Sequence, residues 1–232
     1  RLRPKVSTIA PGEELSISAK MSLHTAGEDG TFNVASTCAY KFTVDKMKQD
    51  QIWQNKLAEI SSEEKADPDV LALLQQNWYN HEGLRYFKKD SFDFKLETIG
   101  VYTNEELVQK ACEILIQKLK NIHDTIEDEG IIEKSISTIP NSVDIKLINT
   151  GYTVGKIIEY MLHKNNYQGE KEKNLTYVGF RKNHPHDDDS VIRMGMVERD
   201  GNDGYNEVVV SNTRFSCNNA IEILTNIMAE FS

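Results

Sequence analysis

The sequence is poor in cysteine, lacks any close cysteine pair and contains no long apolar run. Its three cysteines, Cys38, Cys112 and Cys217, are far apart, so neither a CxxC zinc site nor a disulfide framework is expected. We interpret them as small buried hydrophobic residues in a reducing compartment. No apolar run approaches the ~20 residues that span a bilayer, and no signal-peptide pattern stands at the start. We therefore expect a protein that is neither secreted nor bound to a membrane.

Basic charge is also in deficit. The 232 residues include 27 Lys and Arg against 36 Asp and Glu, a net charge of -9. Nucleic-acid binding depends on clustered basic side chains that neutralise phosphates, so we expect no direct sequence-specific binding to nucleic acid. No P-loop, GxGxxG motif, Ser/His/Asp set or Cys/His set stands out, and no catalytic site or cofactor is expected. The length allows two modest domains, each with its own core.

Two segments near the start alternate apolar and polar residues with the period of a half-buried strand. They cover residues 13–23 and 34–44, and the loop between them contains Gly27 and Gly30. This pattern predicts an antiparallel pair of strands. Apolar residues at helical spacing follow between residues 45 and 80, and Asp67 with Pro68 is typical of the start of a second helix.

A strand and a long helix are predicted next. Residues 92–96 alternate as a strand, and Thr103 and Glu106 have the spacing of a capping box. A wide apolar stripe over residues 107–122 predicts an amphipathic helix that packs against more than one neighbour. The acidic stretch that follows the helix favours a linker.

The second half starts with a strand at residues 143–147 and a helix at 153–164. Further strands are predicted at 175–180, 191–198 and 205–210, before a final amphipathic helix that includes Ala220 and Leu224. Residues 200–204 (DGNDG) predict a hairpin that joins the last two strands. This order indicates an α/β layer with helices on one face of the sheet.

One loop contains residue types that bind metals, namely His184, His186 and the three aspartates 187–189. Near-consecutive loop residues usually point in different directions, so no metal site is expected. Residues 200–204 lack the alternate acidic spacing and the distal glutamate of a calcium loop, and a turn is the better interpretation.

Residues 153–158 (TVGKII), which open an amphipathic helix after a strand, resemble the "HTLGNLL" helix of one RNA polymerase subunit family. Residues 178–180 (VGF) and 184–186 (HPH) resemble its "F-x-G-Y-x-x-x-H-P" segment, and Ile192 and Arg193 fall at its "R-I" strand. Members of this family are the eleventh subunit of eukaryotic RNA polymerase II and the archaeal L subunit. The ordered set covers nearly all of residues 142–231.

The first half resembles the larger partner of that subunit, which is the third subunit of RNA polymerase II or the archaeal D subunit. Residues 9–17 (IAPGEELSI) are similar to its "L-x-P-G-Q-E-L-x-L" strand entry, and residues 92–100 (FDFKLETIG) to its "F-x-F-x-V-E-S-x-G" strand. The chain thus resembles a fusion of both partners, most like those of some large DNA viruses. The pair corresponds to the bacterial alpha-subunit dimer.

The resemblance implies an α+β fold with two related dimerisation modules and a β-rich insert domain, each module having a mixed or antiparallel sheet with helices on one face. The implied ranges are an insert-like hairpin with peripheral helices at 1–90, the end of the larger-partner module at 91–125, a linker at 126–140 and the small-partner module at 141–232. Gly155, near the start of its helix, is expected to allow close approach of a facing helix. The family-motif residues are Gly12, Glu14, Gly179, Phe180, His184 and Pro185. The implied interface comprises Val154, Gly155, Ile157, Ile158, Met161, Leu162, Leu115, Leu119, Ile122, Leu224, Ile227 and Met228.

The function implied by the resemblance is that of a non-catalytic assembly subunit of DNA-directed RNA polymerase. Its two modules would pair within the chain, and the platform would dock the largest, the second-largest and small polymerase subunits. Magnesium and any zinc are expected on those other subunits. A viral protein would be located in the virion and host cell, and a cellular one in the nucleus or cytosol. The alternatives are a stand-alone α/β dimerisation or adaptor module, and a metal-dependent hydrolase built on His184 and His186.

Three departures from the family pattern affect these expectations. The larger partner begins with a strand and a dimerisation helix, which nothing before Arg1 supplies, so we expect either a C-terminal portion or a second polypeptide that contributes them. The basic "G-I-G-K-x-H-A-K-W" loop is replaced by acidic residues 24–32 (HTAGEDGTF), which leaves the contacts of this loop open. The cysteine-ligated zinc or iron–sulfur sites of some larger partners have no counterpart.

Overall fold

The computed structural model describes residues 2–9, 11–62, 67–169, 173–198 and 205–231. The chain divides into two compact units, unit 1 (Arg1–Val101) and unit 2 (Tyr102–Ser232). Helices and antiparallel sheets occur in the same chain, which confirms the predicted α+β class. Within the described ranges, no helix combines the length and apolar character needed to span a bilayer.

In its described residues, unit 1 is a two-stranded antiparallel ribbon with two helices between its strands. Strand β1 (Ala35–Val44) pairs with β2 (Phe87–Thr98), and α1 (Lys46–Glu59) and α2 (Pro68–Asn80) lie between them in sequence. The predicted start of α2 is confirmed, because the Asp67 carboxylate accepts hydrogen bonds from the amides of Asp69 and Val70. Short 3₁₀ turns occur at Gly30–Phe32 and Glu82–Arg85.

The hairpin predicted from the first 44 residues is wrong. Residues 11–24 contain no strand, and β1 pairs with β2 from beyond the two helices. Alternation predicts that a segment suits one face of a sheet, but it does not identify the partner strand. The apolar side chains of the unpaired segment face solvent with exposures from 66% to 96%, namely Leu15, Ile17, Met21 and Leu23.

The described residues of unit 2 form a four-stranded antiparallel sheet with helices on one face. Its sheet order is β3-β4-β6-β5, and the sheet and helices share one hydrophobic core. The elements in chain order are α3 (Asn104–Thr125), β3 (Ile132–Lys134), β4 (Ser142–Leu147), α4 (Tyr152–Leu162), a π-helical turn (His163–Tyr167), β5 (Leu175–Arg181), β6 (Ser190–Met196) and α5 (Tyr205–Ala229).

The predicted strand at 205–210 is a helix. Its residues form the first turns of α5, and residues 199–204, which include the predicted hairpin turn, lie outside the described residues. Val209, Thr213, Cys217 and Ala220 recur at helical spacing and are almost fully buried. Burial of this face outweighs the β-preference of the three consecutive valines at 208–210.

Two predicted ranges and one cysteine also need correction. The linker predicted at 126–140 contains β3, which pairs with β4, and it begins with the buried Ile126. The predicted range 91–125 placed β2 and α3 in one module, whereas the boundary between the two units lies between these elements.

Cys112 and Cys217 are buried, but Cys38 is exposed on β1, contrary to the interpretation of all three as buried. Burial raises the pKa of the Cys217 thiol to about 12.

Candidate subunit interface

Helix α4 contains the core of the interface predicted from the family motif. No side chain caps its first turn, since Gly151 at the N-cap offers no side-chain oxygen. The helix instead owes its position to its buried face, which belongs to the core of unit 2 itself. Val154, Ile158, Met161 and Leu162 are at most 7% exposed and Ile157 is half-buried. These residues therefore pack inside unit 2.

Gly155 is buried against an aromatic ring rather than against a facing helix. A Cβ built at Gly155 would overlap the Phe180 ring on β5. The backbone N–H of Phe180 donates to Glu159 Oε1 at 3.0 Å, which ties the edge strand β5 to α4. The expected close approach of a helix at this glycine is therefore wrong. Instead, the ring of one motif residue, Phe180, occupies the space beside the backbone of the other, Gly155.

The helix predicted for the first module packs against the final helix of the second. Gln109 Nε2 on α3 donates to the Phe231 carbonyl at 2.6 Å, and Arg214 Nε on α5 donates to the His123 carbonyl at 3.3 Å. These two contacts place α3 and α5 antiparallel. Of the predicted interface residues on this pair, Leu119 and Ile122 are buried, Leu115, Leu224 and Met228 are half-buried, and Ile227 is 41% exposed.

The remaining motif residues have different surroundings. A Cβ at Gly12 would lie 2.9 Å from the Lys5 backbone nitrogen, so this glycine permits a tight chain crossing. The Tyr177 hydroxyl lies over Gly179, where a Cβ would overlap it. Glu14 is exposed, and so are His184 and Pro185 in the loop between β5 and β6.

A charged pair on the outer face of the unit 2 sheet was not predicted from the sequence. Asp144 on β4 and Arg193 on β6 are direct cross-strand partners, and Arg193 Nε and Nη2 each donate to an Asp144 oxygen at 2.7 Å. Burial alone would raise the pKa of Asp144. The hydrogen bonds from Arg193, together with the charges of Arg193 and Arg181, outweigh burial and hold that pKa below its ordinary value.

The loop of histidines and aspartates brings no group of metal ligands together in the part of the chain that the structure describes. The His184 and His186 rings lie 5.2 Å apart, and the His186 amide donates to His184 Nδ1. No three His, Cys, Asp or Glu side chains converge there or elsewhere among the described residues. Asp189 instead accepts from the Asn149 amide at 3.0 Å and pairs with Lys146. The hydrolase alternative thus gains no support from the geometry.

Unit 1 exposes a row of aromatic side chains, which we call the aromatic face. It comprises Tyr40, Phe42, Phe87, Phe92 and Phe94, which are 38% to 75% exposed. Neighbouring rings touch, with centroid distances from 4.3 Å for Phe42–Phe87 to 5.9 Å for Tyr40–Phe94. The opposite face of the ribbon is polar, with Thr37 bonded to Glu97 and Thr43 to Asp93. The ribbon is therefore amphipathic.

The core of unit 1 is small. Among its described residues, only Trp53 and Trp78 are buried hydrophobic residues. A domain of this length ordinarily buries well over half of the surface of its unfolded chain, and large contiguous apolar patches on a monomer usually mark interaction sites. Unit 1 therefore has the helices and paired strands of a folded module, but only a fraction of the buried apolar core expected for its length.

No protein-family model and no curated protein matches this chain in sequence.

Proposed function

We propose that the chain is a non-catalytic assembly subunit of a multisubunit DNA-directed RNA polymerase. It forms an alpha-like platform on which the largest and second-largest subunits dock together with small polymerase subunits. The platform makes no direct sequence-specific contact with nucleic acid, and the catalytic magnesium is held by the large subunits. A viral protein acts in the virion and host cell, and a cellular one in the nucleus or cytosol.

The exposed apolar surface of unit 1 is the observation that carries this proposal. The aromatic face and the unpaired apolar segment at residues 13–23 leave many large side chains in solvent. Burying apolar surface is worth roughly 25 cal/mol per Å², so a partner that covers these rows stabilises unit 1. A subunit whose role is assembly needs surfaces of this kind, and a self-contained enzyme does not.

The packing of α3 against α5 gives a second line of support. These are the long helices that close the two predicted modules, and they lie side by side in unit 2. An alpha-type platform requires paired modules that present sheet surface outward. The outer sheet face of unit 2 is polar and contains a cleft of about 640 Å³ lined by Asp144, Lys146 and Arg181, among others.

Co-expression with the two large polymerase subunits from the same source tests the proposal. We expect the tagged chain to retain both subunits in stoichiometric amounts through gel filtration. Substituting Phe94→Lys on the aromatic face should reduce retention of at least one of them more than tenfold, because a charge would enter a buried apolar contact.

Ala39→Lys is the matched control, since it adds the same charge to an exposed residue on the polar face of the same ribbon. It should leave retention unchanged. Tight nucleic-acid binding by the purified chain, with no affinity for either large subunit, would contradict the proposal.

The closed core of unit 2 favours one alternative, a stand-alone α/β dimerisation or adaptor module outside the polymerase. All residues of the main core cluster lie in unit 2, so this unit could act without the polymerase. Purification of the tagged chain from its native source separates the alternatives. Recovery of a stable complex that lacks both large subunits would favour the adaptor.

A further inference from the structure

A cleft of about 670 Å³ opens between α1 and α2 in unit 1. Its lining includes the stacked pair Trp53 and Trp78, whose ring centroids lie 6.2 Å apart, and the side chains of Ile60 and Leu74. Ligand pockets in proteins occupy about 300–1,000 Å³ and are lined mainly by apolar and aromatic groups. The size and lining of this cleft therefore suit a single inserted side chain with its backbone.

Trp78, which lines the cleft, has a hydrogen-bond donor without an acceptor. Trp78 is only 5% exposed, and its indole Nε1–H has no partner among the described residues. Buried indole N–H groups ordinarily find an acceptor. Because this N–H is almost inaccessible to solvent, a carbonyl oxygen in the cleft reaches it only when the ring rotates.

The rim of the cleft is charged and favours a cation. The Lys56 ammonium lies 4.4 Å from the Trp78 ring centroid and forms an ion pair with Glu82. Glu59 adds a second carboxylate to the lining. Two carboxylates against one ammonium leave a negative balance, which attracts a basic residue beside the inserted group.

We propose that this cleft binds an apolar side chain of a partner polypeptide, flanked by a basic residue. The apolar group packs against Trp53, Trp78 and Leu74, and a backbone carbonyl of the same segment accepts the Trp78 indole N–H. This proposal depends on the proposed function only for the identity of the polypeptide that supplies the inserted segment. The cleft would equally serve an adaptor, so its binding chemistry can be tested without any polymerase subunit.

Titration of the full chain with pentapeptide amides tests the proposal. The chain has two tryptophans and both line the cleft, so fluorescence and the indole N–H signals in NMR report directly on its occupancy. We expect acetyl-Lys-Ser-Phe-Ser-Lys-amide to saturate with a Kd below about 1 mM. The Trp78 indole proton, assigned with Trp53→Phe, should move downfield as it gains an acceptor.

Peptide controls separate the two parts of the proposal. Replacing the central Phe by Ala should weaken binding roughly tenfold or more, and replacing both lysines by glutamate should also weaken it. Equal responses to the Phe and Ala peptides would overturn the apolar pocket. Equal responses to the Lys and Glu peptides would overturn the preference for a basic neighbour.

Two variants on neighbouring residues of α2 locate the site. Leu74→Arg places a charge in the cleft and should abolish the response. Leu73→Arg adds the same charge to a residue that is 57% exposed and outside the lining, so it should bind like the unaltered chain. Retained binding in Leu74→Arg, or no saturable signal in the unaltered chain, would refute the cleft while leaving the co-expression test unaffected.

Discussion

At the scale of single residues, Gly155 is placed where the Phe180 ring meets the backbone of α4. The ring fills the volume that any other side chain would need, and Glu159 holds the backbone of Phe180 in place. Glycine in a helix costs about 1 kcal/mol relative to alanine. The contact with Phe180 explains why a glycine is needed here despite that cost. The explanation involves residues of unit 2 alone and needs no second module.

Substitution of Gly155→Ala should destabilise unit 2. Overpacking of a well-filled site costs about 1–3 kcal/mol, which outweighs the ~1 kcal/mol gain in helix propensity. Chemical denaturation of the full chain, followed by far-UV circular dichroism, measures the change. Thr153→Ala, an exposed change in the same turn of the helix, should be nearly neutral.

A second substitution at the ring identifies the cause. Phe180→Leu is smaller, so it should restore part of the stability lost in Gly155→Ala. The two changes would then be non-additive by at least ~0.5 kcal/mol, as expected for residues in contact. Strict additivity would show that Gly155 is constrained by something other than the ring.

At the scale of elements, strand and helix patterns predicted most of the secondary structure. The cap of α2, the capping box of α3 and the buried face of α4 are local features, so the spacing of residues along the chain predicts them directly. The pairing of β1 with β2 is not local, because it spans two helices. The valine-rich start of α5 was misassigned because tertiary burial outweighed local β-preference.

The candidate interface likewise combines local features, which the sequence predicts, with non-local contacts, which it does not. Residues of α4 were predicted as apolar packing residues, and they are buried, but the sequence could not decide whether the core lay within one unit or between two. The contact of Gly155 with Phe180 and the pair Asp144–Arg193 depend on which residues of distant elements face each other. The only sequence signal for the Asp144–Arg193 pair is that each residue is a polar position between apolar neighbours in its strand.

The Asp144–Arg193 pair joins β4 to β6 and should make the sheet sensitive to acid. Because the folded state lowers the pKa of Asp144 below its ordinary value, its contribution to stability is full above that ordinary value. The contribution is lost as pH falls through the folded pKa. Asp144→Asn should cost about 1–3 kcal/mol at pH 7, since the Arg193 charge loses its partner.

Denaturation curves at pH 7 and in steps below pH 4 measure this contribution. The difference between Asp144→Asn and the unaltered chain should shrink as pH falls, since both then have a neutral side chain at this position. Lys95→Gln, which alters an exposed ion pair in unit 1, should show little change at any pH. A difference for Asp144→Asn that stays constant down to the acid limit would contradict the assignment.

At the scale of the whole molecule, the two units differ in how much apolar surface they bury. The main hydrophobic cluster of the chain, which includes Leu119, Ile158, Ile192 and Val209, lies entirely in unit 2. Unit 1 has two buried tryptophans and an exposed aromatic face among its described residues. Both units belong to the same chain, whose net charge is -9. The difference between them is how much apolar surface each one buries.

The separated units should therefore behave differently. Residues 102–232 alone should give one cooperative thermal transition, because this piece retains the whole main cluster. Residues 1–101 alone should melt with low cooperativity and bind the dye ANS, since their apolar rows have no cover. Phe94→Lys in this piece should reduce ANS binding, whereas Ala39→Lys on the polar face should not. A sharp, ANS-free transition for residues 1–101 would show that unit 1 needs no partner, which would remove the main physical support for an assembly role.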